Sequence, residues 1–193
     1  MAEIIIFHHA LGLTPGVIEF ADKLRKEGHI VHAPDLYEGH VFDDLENGIA
    51  FLNQVGFEKI LKRGEDAVGE LPSNMIYIGF SLGVVPAQKL AQTRSGGLGA
   101  IFLYSCLPIS EFGSSWPENV PVQIHAMESD LYFNNDGDIN AARELVAKVE
   151  QAELFLYPGD HHIFADSSLS SYDEDATRLL MDRVFNFLRR ESI

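Results

Sequence analysis

"NMIYIGFSLGVVPAQKLA", residues 74–91, decides the fold. An apolar run, a Gly-Phe-Ser-Leu-Gly pentad and an apolar-periodic segment follow one another without a break. A short continuous apolar run predicts a strand covered on both faces, and the periodic segment predicts a helix packed on it. Ser81 stands at the turn between them. It is either a nucleophile lifted into a site by a sharp strand-to-helix connection or a small residue capping a helix in a glycine-rich turn. In the first case Gly79 and Gly83 have a mechanical reason. The serine sits in a strained conformation, and side chains at 79 and 83 would strike the neighbouring strand and helix. The helix N-terminus below also favours developing negative charge.

Five further strand-like runs surround this one: 3–7 "EIIIF", 29–33 "HIVHA", 99–105 "GAIFLYS", 122–127 "VQIHAM" and 153–158 "ELFLYP". Helical stretches separate them. Residues 14–28 carry Thr14 as N-cap, Pro15 at the first helical position and Gly28 as stop, with Val17, Ala21 and Leu24 on one face. Residues 43–71 read as one or two helices interrupted near Gly56, and 137–149 as another. The last helix opens on a capping-box pattern, Ser171 with Glu174. Alternation of strand and helix implies an α/β fold with about six mainly parallel strands and helices on both faces. Function in such sheets gathers at the carboxyl ends of the strands.

A serine nucleophile needs a base, and the base needs an orienting acid. "HAMESDLYF" puts Asp130 just past a later strand, where it would otherwise be a turn-capping acid. "YPGDHHIFAD" puts His161 and His162 past the last strand. The order Ser81, Asp130, histidine, each at a strand's carboxyl end, is that of the α/β-hydrolases.

The chain resembles the dienelactone hydrolase family of that superfamily over nearly its whole length, through "HHALGLTPG", "APDLYEGH", "GFSLG", "HAMESD" and "YPGDHHIFAD". The resemblance implies a compact, trimmed α/β-hydrolase core, one domain over 1–193, without a separate cap domain. Its H-x-F-A spacing selects His162 over His161 as the base. It also implies two backbone oxyanion donors, Leu82 after the nucleophile and Ala10 in the loop leaving the first strand. The family's namesake has a cysteine where this chain has Ser81. It also has an acid in the first loop and an arginine soon after the catalytic histidine, positions held here by His9 and Asp166. The arginine's clamp on a substrate carboxylate is thus missing. Asp160 and Asp166, if they face the cleft, would favour neutral substrates over anionic ones. His9, Tyr37, Trp116, Phe164 and Asp166 are candidate substrate contacts, with Tyr104, Phe112 and Tyr132 as further possible pocket walls.

The composition limits the alternatives. A net charge of -15 over 193 residues argues against nucleic acid or an anionic membrane as partner. The single Cys106, read as a buried structural thiol, forbids an intrachain disulfide and points to a reducing cytoplasm. The first residues read as a strand, without the basic region of a signal peptide. His8, His9, Asp160, His161 and His162 raise a metal site as a rival, but adjacent strand residues point to opposite faces, so His8 and His9 would not share one ion. A catalytically inactive binding protein on the same fold is the other rival. The reading adopted is a hydrolase of small esters, lactones or thioesters, working as a monomer or homodimer with no metal and no cofactor.

Overall fold

The structure is a computed structural model, and it describes residues 1–135 and 137–191. Six strands, β1 (Glu3–Phe7), β2 (Ile30–His32), β3 (Met75–Phe80), β4 (Gly99–Leu103), β5 (Val122–Met127) and β6 (Ala152–Tyr157), form one sheet in the order β2-β1-β3-β4-β5-β6. All five neighbouring pairs are parallel. Each quoted apolar run overlaps one of these strands, β6 beginning one residue before its run.

Burial on both faces follows from the alternation of side chains along the strands. Ile4, Ile6, Ile76, Ile78 and Phe80 pack with α1 (Pro15–Lys26) and α7 (Glu174–Glu191). Ile5, Phe7, Met75 and Tyr77 face the other way, toward α3 (Phe57–Asp66), α4 (Val84–Thr93) and α6 (Asp138–Lys148). On α7, Leu180, Val184, Phe187 and Leu188 are wholly buried, each contributing about 1.5–3 kcal/mol by leaving water.

The helix signals act as physical chemistry requires, with one exception. The Thr14 hydroxyl accepts from the Val17 N–H at the start of α1, and Asp44 does the same for Asn47 at the start of α2 (Leu45–Val55). Gly56, at φ +94°, separates α2 from α3. The capping box expected at Ser171 does not form. Residues 163–172 turn on themselves through Asp166 N–H to Ile163, Leu169 N–H to Asp166 and Tyr172 N–H to Leu169 carbonyl bonds. The chain becomes helical only after Asp173, whose carboxylate accepts from Ala176 N–H at 2.9 Å. No described helix is long and apolar enough to cross a membrane.

The strand order locates the site. From β1 the chain steps outward to β2, then crosses to β3 on the other side and continues to β6. The connections leaving β1 and β3 therefore diverge between two adjacent strands, opening a crevice at their carboxyl ends. Phe7 pairs with Gly79 at that edge, directly before His8 and the pentad.

Candidate active site

Ser81 closes β3 at φ +49°, a left-handed conformation unusual for a residue with a side chain. Its flanking glycines are demanded by contact. A Cβ on Gly79 would lie 2.5 Å from the backbone of Gly83 and Val84, and one on Gly83 would lie 2.1 Å from the Phe7 carbonyl oxygen. Tyr104 and Ile163, at φ +70° and +61°, carry the same strain at the ends of β4 and of the histidine loop. Three of the four non-glycine residues with positive φ among those described thus stand around one point of the crevice, Glu38 at φ +55° being the other.

The three residues read as nucleophile, base and acid meet there. Ser81 Oγ lies 2.9 Å from His162 Nε2, and His162 Nδ1 lies 2.7 Å from Asp130 Oδ2. Asp130 is fully buried and the His162 side chain is 8 % exposed, so the pair is shielded while Ser81 remains open to the cleft. A carboxylate only accepts, so Nδ1 carries the His162 proton and Nε2 keeps its lone pair toward the serine hydroxyl. Asp130 also caps α5 (Leu131–Asn135), because its Oδ1 accepts from Tyr132 N–H at 3.0 Å and Phe133 N–H at 3.4 Å. Capping acid and imidazole-orienting acid are one residue, with one oxygen for each task. Tyr132 and Tyr104 flank the imidazole, ring centroids 4.8 and 5.6 Å away.

Ala10 and Leu82 line the same cleft as Ser81 and His162. Leu82 lies in the first turn after the strand, where N–H groups lack intrahelical acceptors. The cleft encloses about 330 Å³. Its floor and walls come from Leu45, Ile49 and Leu52 on α2, Phe57 at the start of α3, Leu82 and Val85 below the serine, and Tyr104, Leu107 and Tyr132 opposite. Ser105 and Asp138 supply polar edges, and no lysine or arginine is among the lining residues described. Ala10 and Leu82, the expected oxyanion donors, thus both border the cleft beside Ser81, and its remaining walls are largely apolar.

The other expected substrate contacts lie elsewhere, which corrects the pocket assignment. Tyr37 is fully buried and packs edge-on against His8 at 5.1 Å. Trp116 donates its indole N–H to the Val120 carbonyl at 2.6 Å and packs on Phe102, and Phe112 is not a lining residue either. Phe164 is sealed between Tyr104 and Tyr157. His9 and Asp166 are both fully buried and bonded to each other, His9 Nε2 to Asp166 Oδ2 at 2.8 Å. Burial alone would raise the Asp166 pKa, but hydrogen bonds from His9, Ser168 and Thr14 outweigh it and hold it down to about 2. The acid therefore faces His9 and not the cleft, while Asp160 is largely exposed. His8 and His9 diverge as expected of neighbours, His8 toward Leu36 N–H and His9 toward Asp166. Cys106 is buried, which pushes its thiol pKa up.

What the sequence reading missed is the α2 wall. Leu45, Ile49 and Leu52 stand at i, i+4 and i+7, a spacing that marks one helical face. Nothing in that spacing distinguishes a face turned to the core from one turned to a cleft.

The fold and this crevice are those of an α/β-hydrolase. The family model described as "Dienelactone hydrolase family" matches residues 1–192, and the chain belongs to that family. An Aquifex aeolicus protein named "Putative carboxymethylenebutenolidase" is 23% identical over 96% of this chain and 87% of its own length. Among solved structures, the dienelactone hydrolase-like promiscuous phosphotriesterase P91 from metagenomic libraries matches with a TM-score of 0.76 at 18% identity, covering 99% of this chain and 87% of that one. The protein is accordingly a hydrolase of the α/β type.

Proposed function

We propose that the chain hydrolyses a small uncharged ester, lactone or thioester through an acyl-enzyme on Ser81. His162 takes the hydroxyl proton as Ser81 Oγ attacks the carbonyl carbon, and Asp130 holds the imidazole and stabilises its charged form. The carbonyl oxygen, now negative, is received by the N–H groups of Leu82 and Ala10. His162 then passes its proton to the leaving alkoxide or thiolate. Water, deprotonated by the same imidazole, releases the acid and restores Ser81. Acyl transfer of this kind uses only a nucleophile, a base and oxyanion donors, so the reading calls for no cofactor.

The observation that carries this reading is the 2.9 Å approach of Ser81 Oγ to His162 Nε2 at the open side of a strained turn. The uncharged substrate is argued from the apolar lining, the lack of a lysine or arginine among the described lining residues and the net charge of -15. The Aquifex relative's name points to a lactone and so favours a cyclic ester, while the carboxylate that its carboxymethylene group implies meets no lysine or arginine among the described lining residues here. The lone buried thiol favours a reducing cytoplasm as the working location.

The test is Ser81→Ala with an activated acetate ester, beside fluorophosphonate labelling of the unaltered protein. Turnover should fall about 10³-fold or more, leaving the residue that oxyanion donors and binding supply. Labelling should vanish in the same variant. Unchanged hydrolysis by a folded Ser81→Ala protein would overturn the reading, and a protein neither labelled nor hydrolytic would be a binder on a hydrolase fold.

A further inference from the structure

The loop after β1 carries two buried imidazoles that touch no reacting atom. Their hydrogen bonds fix the peptide groups between them. The His9 carbonyl accepts from His8 Nδ1–H at 2.7 Å and from Gly12 N–H at 3.1 Å. That carbonyl and the Ala10 N–H belong to one planar trans peptide, so holding the first fixes the direction of the second. His8 Nε2 in turn accepts from Leu36 N–H at 3.0 Å, which leaves the ring proton on Nδ1. The next N–H of the loop is turned aside, because Leu11 donates to His9 Nδ1 at 3.3 Å. Ala10 N–H donates to no protein acceptor among the described residues. Ala10 itself lines the cleft beside Ser81.

The second imidazole anchors the loop from behind. His9 Nε2–H donates to Asp166, which also accepts from the Thr14 hydroxyl, from Ser168 N–H at 2.9 Å and from Ser168 Oγ at 2.6 Å. Asp166 stands four positions beyond His162 on the histidine loop. One buried pair therefore joins the loop of the proposed oxyanion donor to the loop of the proposed base.

We propose that His8 is a positioning residue for the oxyanion site, its Nδ1–H holding the His9–Ala10 peptide so that Ala10 N–H points at the developing oxyanion, with the His9–Asp166 pair clamping that loop to the His162 loop. This rests on the Ser81 reading above. It assigns a task to two histidines and an acid that the reaction itself leaves unused.

The test is a series at His8. Asparagine places an amide N–H where Nδ1 was, glutamine places one where Nε2 was, and leucine places none. Each variant is assayed for kcat and KM on a neutral acetate ester, with active sites counted by fluorophosphonate. Its Ki is measured for a trifluoromethyl ketone, which forms a tetrahedral adduct with the serine. A misaimed donor loses part of the roughly 10²–10³-fold that one oxyanion donor supplies. His8→Leu and His8→Gln should therefore lose about 10- to 100-fold in kcat per active site, with KM within about threefold and Ki weakened in proportion to kcat. His8→Asn should recover to within about fivefold of the starting protein. Equal kcat in the asparagine and glutamine variants overturns the proposal, and so does a loss of kcat without a matching loss of ketone affinity. If His8→Leu does not fold, the asparagine–glutamine comparison carries the test alone. With Ser81 labelled normally, a flat series defeats the positioning role only. A chain that is not labelled and stays active as Ser81→Ala defeats the Ser81 reading instead.

Discussion

Two histidine dipeptides stand at the carboxyl ends of two strands, and the molecule treats them differently. His8 and His9 follow β1 and are both fully buried. His161 and His162 follow β6. The first of these is half exposed, and the second has an 8 % exposed side chain against Asp130 and Ser81. The dipeptide is the same, so the difference lies in what each imidazole meets. At β1, backbone groups and Asp166 occupy all four ring nitrogens. At β6, only the His162 ring joins a carboxylate on one nitrogen to a hydroxyl on the other. A histidine becomes a general-base candidate when one nitrogen is fixed by an acid and the other is left to a group that can lose a proton.

Removing the imidazole that bridges should break this contrast most severely. His162→Ala should lower kcat/KM on the acetate ester by about 10³-fold or more, close to the loss in Ser81→Ala, because nucleophile and base act as a unit. The double variant should be scarcely worse than either single one. Losses that multiply in the double variant would mean that serine and histidine do not work together.

The fold and this constellation were legible because each rests on a signal in the local sequence. The six apolar runs mark strands covered on both faces, and Gly79 and Gly83 mark a turn that admits no Cβ. The order Ser81, Asp130, histidine follows from three strand ends, and the resemblance in the H-x-F-A spacing singles out His162. The pocket walls were not legible, for a physical reason. In a sheet buried on both sides, aromatic residues serve the core as well as a cleft, so Tyr37, Trp116 and Phe164 looked no different from Tyr104 and Tyr132. The pairing of His9 with Asp166 joins residues 157 positions apart, and only the folded chain brings them together. The start of α7 was misread because Ser171 and Glu174 had the right spacing while a competing series of turns held the chain through Tyr172.

A smaller effect should appear in stability against pH, and it sharpens the contrast from the β1 side. Burial lowers the pKa of His8 to about 4, against partial support from the His9 carbonyl and the nearby Asp35 carboxylate. Burial likewise lowers His9, partly offset by Asp166, and takes His125 to about 3. The sign follows from where the protons go. Unfolded, these rings take up protons near pH 6.5, and folded they do not, so unfolding binds protons as the medium becomes acid. Their stabilisation is complete above about 6.5 and is lost as pH falls toward 4 for His8 and 3 for His125. For His8 the loss is on the order of 3 kcal/mol. Urea unfolding from pH 8 to 4 should show a plateau and then a fall. His8→Asn should reduce the slope below pH 6.5 by about one proton per molecule. An unchanged slope in that variant would mean His8 is not held neutral in the fold.

The smallest effect is expected at the remaining histidine of the second dipeptide. His161 is half exposed, its ring pairs with the exposed Asp160 at 3.8 Å, and its backbone N–H rests on Met127 Sδ at 3.2 Å. An exposed ion pair of that length is worth roughly 0–1 kcal/mol, and the backbone contact does not depend on the side chain. Only one imidazole can stand between Asp130 and Ser81, and His162 occupies that place. His161→Ala should therefore keep kcat/KM within about threefold, and as an exposed surface change it should alter stability by no more than about 0.5 kcal/mol. Comparing it with His162→Ala on one substrate, with active sites counted by fluorophosphonate, sets the two neighbours side by side. A thousandfold loss in His161→Ala with His162→Ala nearly intact would exchange their roles, moving the base one residue toward β6. Intermediate losses in both would mean the loop holds two exchanging arrangements, and the distinction drawn between these neighbours would fall.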